Sequence, residues 1–417
     1  MSLKWLYLDL NSYFASVEQQ LQPLLRHRPV AIVPSLTDST SAIAASYEAK
    51  AYGVKTGMKI YEAKLKCPDL ICVVGKHENY VHYHHLILNE INKYIPIEKS
   101  YSIDEVACKL LGSQTNETNA LNLAKAIKLG LSKNIGKYLR CSIGLAENVF
   151  LAKTASNLEK PDGLQVIYAK DMPERIAHFK LSDLTGIGKA MEHRLNKAGI
   201  FTIKQLFTLE PKHMRRIWGS VLGERFWYLL RGYNLPDVQT SCSSLGHSHV
   251  LEPSWRPVVK ARHVMRKLLL KAATRLRSKK YYTKHMILGV RIENGQKLKL
   301  ETSFYRSCDN VTLSREASKL WSALVQIHKP RAIKKISVTF DHLVAEDKIE
   351  NNFFELSGDS SFKKQKTFEK LSLAMDGINH KFGKDSIIMG GLPEQAESFS
   401  GTKIAFTRIP DLQEFKN

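Results

Sequence analysis

The chain has 417 residues, 43% hydrophobic and 24% charged, with 62 Lys and Arg against 40 Asp and Glu, a formal net charge of +22. That length calls for several domains, the composition excludes wholesale disorder, and no apolar run is long enough to span a membrane. The cationic excess favours a polyanionic partner. The six cysteines are scattered without a CxxC pair and read as reduced thiols, with neither a zinc site nor a disulfide framework. Asp9 and Asn11 fall too early for a signal-peptide core, so the expected compartment is the cytoplasm.

In chain order, residues 3–9 alternate as a strand and 12–20 read as a helix. Residues 29–34 form an apolar strand, and 42–45 lead into a short helix that stops at Gly53. Strands follow at 71–74, 100–111, 140–146 and 163–167, with helices at 79–94, 120–133 and 148–158 between them. This alternation predicts an α/β or α+β domain over the first 165 residues or so. Residues 173–235 read as almost wholly helical, and 234–244 as a linker. From 248 to 343 the order is helix, strand 285–292, strand 297–305, helix 314–328, strand 332–340, a small unit of β-α-β-β-α-β character. The rest is expected to be a partly disordered tail with one helix at 367–382.

Asp9 closes one apolar strand, and Asp104-Glu105 lies in another, SYSIDEVACKL. Carboxylates in such strands are costly unless paired or bound to metal. Three brought together would demand divalent cations, and hard oxygen donors select Mg²⁺ or Mn²⁺. Successive strand residues face opposite sides, so Asp104 and Glu105 can converge only at a strand end, bulge or turn. The bland alternative makes Asp9 a helix cap and Asp104-Glu105 a strand-end pair. The stretch Leu184-Thr185-Gly186-Ile187-Gly188-Lys189, followed by helical patterns, has the form of a helix-hairpin-helix whose amides bind phosphate. From Trp255 to His285 eleven Lys and Arg occur with no acid, interleaved with apolar residues at helical spacing. That run fits a phosphate-tracking surface, a solvated helix face or a membrane-surface helix, and its apolar face has no aromatic residue to anchor in lipid. His77, His82, His84 and His85 read as a solvated helix face rather than a metal site.

These segments, in this order, resemble the Y-family (translesion) DNA polymerases of the DinB and UmuC type. DLNSYFASVE at 9–18 is similar to the family's first metal-binding motif and ASYEAKAYGVKTGM at 45–58 to its fingers motif. SIDE at 102–105 is similar to the second catalytic motif and LAKTASNLEKPDGL at 151–164 to the late palm motif. The resemblance implies an α+β multidomain right hand. The palm would be 1–22 plus 75–168, the fingers 23–74, a helical thumb 169–236, a linker 237–245, an α/β little finger 246–345 and a tail 346–417. It implies that Asp9, Asp104 and Glu105, assisted by the Leu10 carbonyl, hold two Mg²⁺ ions, with Mn²⁺ as a substitute. Phe14 matches the steric gate against a 2′-hydroxyl, with Tyr13 beside it. Tyr47, Lys50 and Lys160 match triphosphate contacts. Gly186, Gly188 and Lys189 of the hairpin, and Arg262, Arg266, Arg275 and Arg277 of the basic run, would lie along DNA. Partners implied are primed template DNA, damaged DNA included, deoxynucleoside triphosphates and a sliding clamp, for which Leu412–Phe415 is a weak candidate peptide. The protein is expected to be a monomer away from membranes. Two departures stand out: Asn11 where many relatives carry Asp, and Lys50 where the usual residue is Arg. The competing readings are a non-catalytic accessory protein of a bypass complex and, more remotely, a helix-hairpin-helix nuclease or glycosylase.

Overall fold

A computed structural model describes residues 2–238, 243–349, 360–383, 385–390 and 409. The chain divides into two compact units that meet in sequence at Asp237 and Val238.

The first unit is built on β1 (Trp5–Leu10), which is central in a five-stranded sheet and buried along nearly its whole length. Leu6, Leu8 and Leu10 enter one apolar core, and Tyr7 enters another on the opposite face. A strand buried on both faces needs an apolar run rather than strict alternation, as WLYLDL supplies. α1 (Tyr13–Leu21) follows directly. β2 (Val30–Val33) and β3 (Ala44–Ala45) precede α2 (Tyr47–Ala51), whose N-cap Ser46 accepts from the Ala49 amide. α3 (Ile60–Lys66) and β4 (Ile71–Val74) complete a separate small sheet, ordered β3-β2-β4. α4 (His77–Ile91) leads to β5 (Ile97–Ser100) and β6 (Glu105–Lys109). α5 (Glu117–Gly130), β7 (Cys141–Ala146), α6 (Val149–Leu158) and β8 (Leu164–Ile167) finish the large sheet, ordered β5-β6-β1-β7-β8. A Cβ placed on Gly144 of β7 would come within 1.9 Å of the Ala152 carbonyl of α6. Glycine there lets α6 lie directly on the sheet. Four short helices follow: α7 (Lys189–Lys197), α8 (Ile203–Thr208), α9 (Pro211–Trp218) and α10 (Val221–Leu230).

The second unit starts with β9 (Ser244–Val250), a strand in the region expected as linker and helix. SLGHSHV hides its alternation because histidine takes two of the inward positions. α11 (Val258–Ser278), β10 (Tyr281–Ile292), β11 (Lys297–Ser307), α12 (Asn310–His328) and β12 (Ile333–Ala345) give a β-α-β-β-α-β unit, with sheet order β11-β10-β12-β9. α11 and α12 pack with Met286, Leu288, Ile336, Val338 and Phe340 in one core. α13 (Ser360–Phe382) starts earlier than the expected tail helix and belongs to this unit. The Arg277 guanidinium donates to Asp376 of α13 at 2.6 and 2.9 Å, to the Cys308 carbonyl at 2.7 Å and to Asn310 at 3.0 Å.

The expected disordered stretches of the tail, residues 239–242 of the linker, and Leu412–Phe415 lie outside the described residues. Among the described residues, five cysteines are unpaired, and no helix is long and apolar enough to cross a membrane.

Candidate active site

The carboxylates meet where β1 ends. Asp9 pairs across the ladder with Glu105, and Tyr7 pairs with Ala107. Tyr7, Asp9 and Glu105 therefore share the face against which α6 packs. The strand expected over 100–111 is interrupted by a bend at Ser102–Asp104, so β6 begins only at Glu105. That break answers the objection that neighbouring residues face apart, because Asp104 is not in the ladder. The Leu10 N–H donates to the Asp104 carbonyl at 2.8 Å. The Ser102 hydroxyl donates to Asp104 Oδ1 at 2.5 Å and lies 3.5 Å from Glu105 Oε2, so both carboxylates turn to one side. On α4, buried His84 donates its Nδ1–H to the Ile103 carbonyl at 2.8 Å, fixing the residue before Asp104.

Burial raises the Asp104 carboxyl above its ordinary value. The Ser102 hydrogen bond opposes this, and the charges of Asp9 and Glu105 add to it. Burial likewise raises Asp9, against the pull of Lys160. Lys160 Nζ donates to Asp9 Oδ2 at 2.7 Å, and Lys153 Nζ lies 2.8 Å from both Glu105 oxygens. Asn11 sets the Lys160 turn: its Oδ1 accepts from the Asp162 N–H at 2.8 Å and its Nδ2 donates to Ser142 Oγ at 3.1 Å. An Asp at this position could not donate to Ser142, so the departure at Asn11 has a structural use.

The nucleotide candidates gather at the same edge. The Tyr47 hydroxyl is pushed up to about 12, first by burial and then by the charge of Asp9. Lys50 lies over the Tyr47 ring at 4.5 Å and donates to the Ser12 hydroxyl at 2.7 Å. Its ammonium is lowered by burial and by the charge of Lys160. Two mutually repelling lysines next to a carboxylate group make a cradle for a polyanion. Phe14 stacks on Tyr80 with ring centroids 4.3 Å apart, and Tyr13 donates its hydroxyl to the Tyr80 carbonyl at 2.6 Å. Both aromatics are almost wholly buried, so their positions are fixed by packing.

The DNA candidates fare unevenly. Gly186 and Gly188 lie on an exposed loop anchored by buried Leu184 and Ile187, and exposed Lys189 opens α7; Gly186 has φ +94°, and Gly188 caps α7. Arg262 is exposed, Arg275 is half-buried, and Arg266 is half-buried with one bond to the Met389 carbonyl at 3.2 Å. Arg277 must be withdrawn from the DNA-binding set. Its side chain is 2% exposed and its donors are taken by Asp376, Cys308 and Asn310. The histidine reading also needs correcting: His82 and His85 are exposed, but His77 and His84 are buried.

Several residues that meet at this edge escaped the sequence. Ser102, Lys153 and His84 sit inside or beside recognised motifs, but nothing local says which carboxylate each touches. The outward face of the second unit's sheet was also missed. Opposite the helices, alternation places Lys335, Ser337 and Thr339 of β12, Gly289 and Arg291 of β10, Lys297 and Lys299 of β11, and Gly246 and Ser248 of β9 on one face, none of them in the apolar core.

Comparison with known proteins shows the family. Residues 8–157 match the model of the impB/mucB/samB family, and residues 243–353 match that family's C-terminal domain. A DNA polymerase IV of Moorella thermoacetica is 33% identical over 275 residues, covering 64% of this chain and 68% of that protein. The chain belongs to the Y-family of DNA polymerases, of the DinB and UmuC type. DNA polymerase IV 1 of Bacillus subtilis is 26% identical over 398 residues and spans 94% of both chains. The fold agrees with a solved Y-family polymerase chimera, Dbh-Dpo4(243-245)-Dbh, at TM-score 0.66 and 24% identity, covering 82% of this chain and 99% of that one. As a Y-family member it is a DNA-directed DNA polymerase with palm, fingers, thumb and little finger.

Proposed function

We propose that this polymerase adds deoxynucleotides to a primer 3′-OH by metal-assisted phosphoryl transfer at the Asp9, Asp104 and Glu105 edge, and that it serves damage tolerance by copying lesion-bearing templates. The observation that carries the reading is the convergence of three carboxylates with Lys160, Lys50 and Tyr47 at one strand end. The donors suit hard divalent cations, since among the described residues no lysine pairs with Asp104, which is pushed up by burial and its acidic neighbours. Among the described residues, no three His, Cys, Asp or Glu close a cage around an ion by themselves. Magnesium is commonly held by one or two carboxylates together with substrate phosphates, so the triphosphate is expected to complete the ligand shell. Asp9, Asp104 and Glu105, with the Leu10 carbonyl, would hold the two ions, which supply charge neutralisation at the attacking and leaving oxygens.

The protein's own residues do the rest. Lys160 and Lys50 offer point charges and Tyr47 a hydroxyl to the triphosphate. Phe14, locked against Tyr80, presents a fixed wall to the sugar. Phe14→Ala is expected to admit ribonucleotides about tenfold or more better than the parent in kcat/KM; unchanged sugar selectivity would place the gate elsewhere. The palm is assigned to 1–22 and 75–168, the fingers to 23–74, the thumb to 169–236 and the little finger to 246–345. DNA is assigned to the exposed Gly186–Gly188 loop with Lys189 at the start of α7, and to the outward sheet face of the second unit, where small Gly and Ser residues beside Lys and Arg permit close approach to phosphates. A monomer acting in the cytoplasm, with a sliding clamp as partner, completes the reading.

Primer extension with Mg²⁺ on undamaged, abasic and bulky-adduct templates tests it. Extension past at least one lesion is expected. Purified protein that extends no primer would favour the accessory role.

A further inference from the structure

We infer that Lys153 is a resident counter-cation of Glu105 that makes divalent-cation binding at the carboxylate edge depend on the arrival of the triphosphate. The inference rests on the polymerase site proposed above. The Lys153 ammonium straddles the carboxylate, 2.8 Å from each Glu105 oxygen, and sits 5.4 Å above the Tyr7 ring centroid. Its side chain is 23% exposed and Glu105 is 20% exposed, so water screens the pair only in part. The contact is built into the fold. Gly144 lets α6 touch β7, and α6 delivers Lys153 onto the face shared by Tyr7, Asp9 and Glu105. Lys160 treats Asp9 in the same way at 2.7 Å. Only Asp104 is left with a hydroxyl, that of Ser102, as its nearest donor.

Three carboxylates answered by two lysines leave little net negative charge to attract a free divalent cation. A fixed cation a few ångströms from the ion's place adds direct repulsion. A triphosphate changes the balance. It brings its own negative charge and oxygen ligands, and it is the natural partner for Lys160, which already stands beside Lys50. Lys153 lies on Glu105 and the Tyr7 ring, and its charge also reaches Asp9. Ion binding is therefore weak before the nucleotide arrives and strong afterwards, a safeguard against filling the site when there is nothing to transfer.

The test is Mn²⁺ binding to the full chain, read from the free-ion electron paramagnetic resonance signal, with and without primed DNA and a non-hydrolysable deoxynucleotide. Lys153→Met is expected to bind Mn²⁺ at least about tenfold more tightly than the parent without nucleotide, with the gap narrowing once nucleotide is present. Lys153→Arg keeps the charge and should match the parent. Lys153→Gln, which keeps a hydrogen-bond donor, should follow Met. Loss of packing would weaken binding in Met and Gln alike, so tighter binding cannot come from a damaged fold. Equal or weaker Mn²⁺ binding in both uncharged variants would overturn the inference. Primer extension by the parent in the same buffer keeps the two readings apart. A parent that extends while the variants bind no tighter loses only this inference; a parent that never extends loses the polymerase site itself.

Discussion

The end of β1 and the helix α11 both gather charge, and they use it in opposite ways. At β1 three acids face one side, and basic residues from a distant helix and turn answer two of them. Along α11 the cations have no acidic neighbour in sequence, yet Arg277 is turned inward to hold α13 through Asp376. Density of charge in a sequence therefore says little about its use. What decides is whether the fold brings a partner to that face.

The largest expected effect falls on the first region. Asp104→Ala or Glu105→Ala should cut primer extension about a thousandfold, some 4 kcal/mol in the barrier, while DNA affinity holds within about twofold. Near-normal turnover in either would mean that the acids at β1 are as structural as Arg277. The second region should answer with stability. Arg277→Met leaves Asp376 facing a half-buried site without its cation, a loss of about 3 kcal/mol in the unfolding of the second unit. DNA binding by the folded variant should keep its salt dependence, and a shallower slope would return Arg277 to the DNA surface. Lys335→Ala and Lys299→Ala on the outward sheet face should each flatten the log–log salt slope by about 0.9. No change in both would move the DNA to the helices. The smallest effect separates the acids from one another. In Asp104 the folded carboxyl lies above its ordinary 3.8, because burial and then nearby acids disfavour the charge. The folded state binds the proton more tightly, so stability falls as pH rises from about 3.8 through the folded value. Asp104→Asn should melt a few degrees higher than the parent at pH 7, with the gain fading toward pH 4; a gain independent of pH would deny that cause.

What could be read in advance follows the same division. The motif around Asp9, the SIDE tetrad and the turn carrying Lys160 are local patterns; strand register pairs Asp9 with Glu105, and the Asn11 side chain fixes the Lys160 turn beside them. The β-α-β-β-α-β order was legible from apolar spacing, except for β9, whose inward histidines blur the period. Arg277 was misread because its partner lies 99 residues away on a helix of another segment. His84 was misread because a helix pattern does not say which histidine meets the Ile103 carbonyl. Lys153 was invisible for a related reason, since its approach to Glu105 depends on the absent Cβ of Gly144.

The most direct measurement is a crystal structure of the full chain with primed DNA, a non-hydrolysable deoxynucleotide and Mn²⁺, with the manganese located by anomalous scattering. The account places manganese at coordination distance, about 2.1 Å, from oxygens of Asp9, Asp104 and Glu105, with the triphosphate completing the shell. A bound nucleotide with manganese ligated elsewhere, or with those three carboxylates turned away from it, would contradict the account.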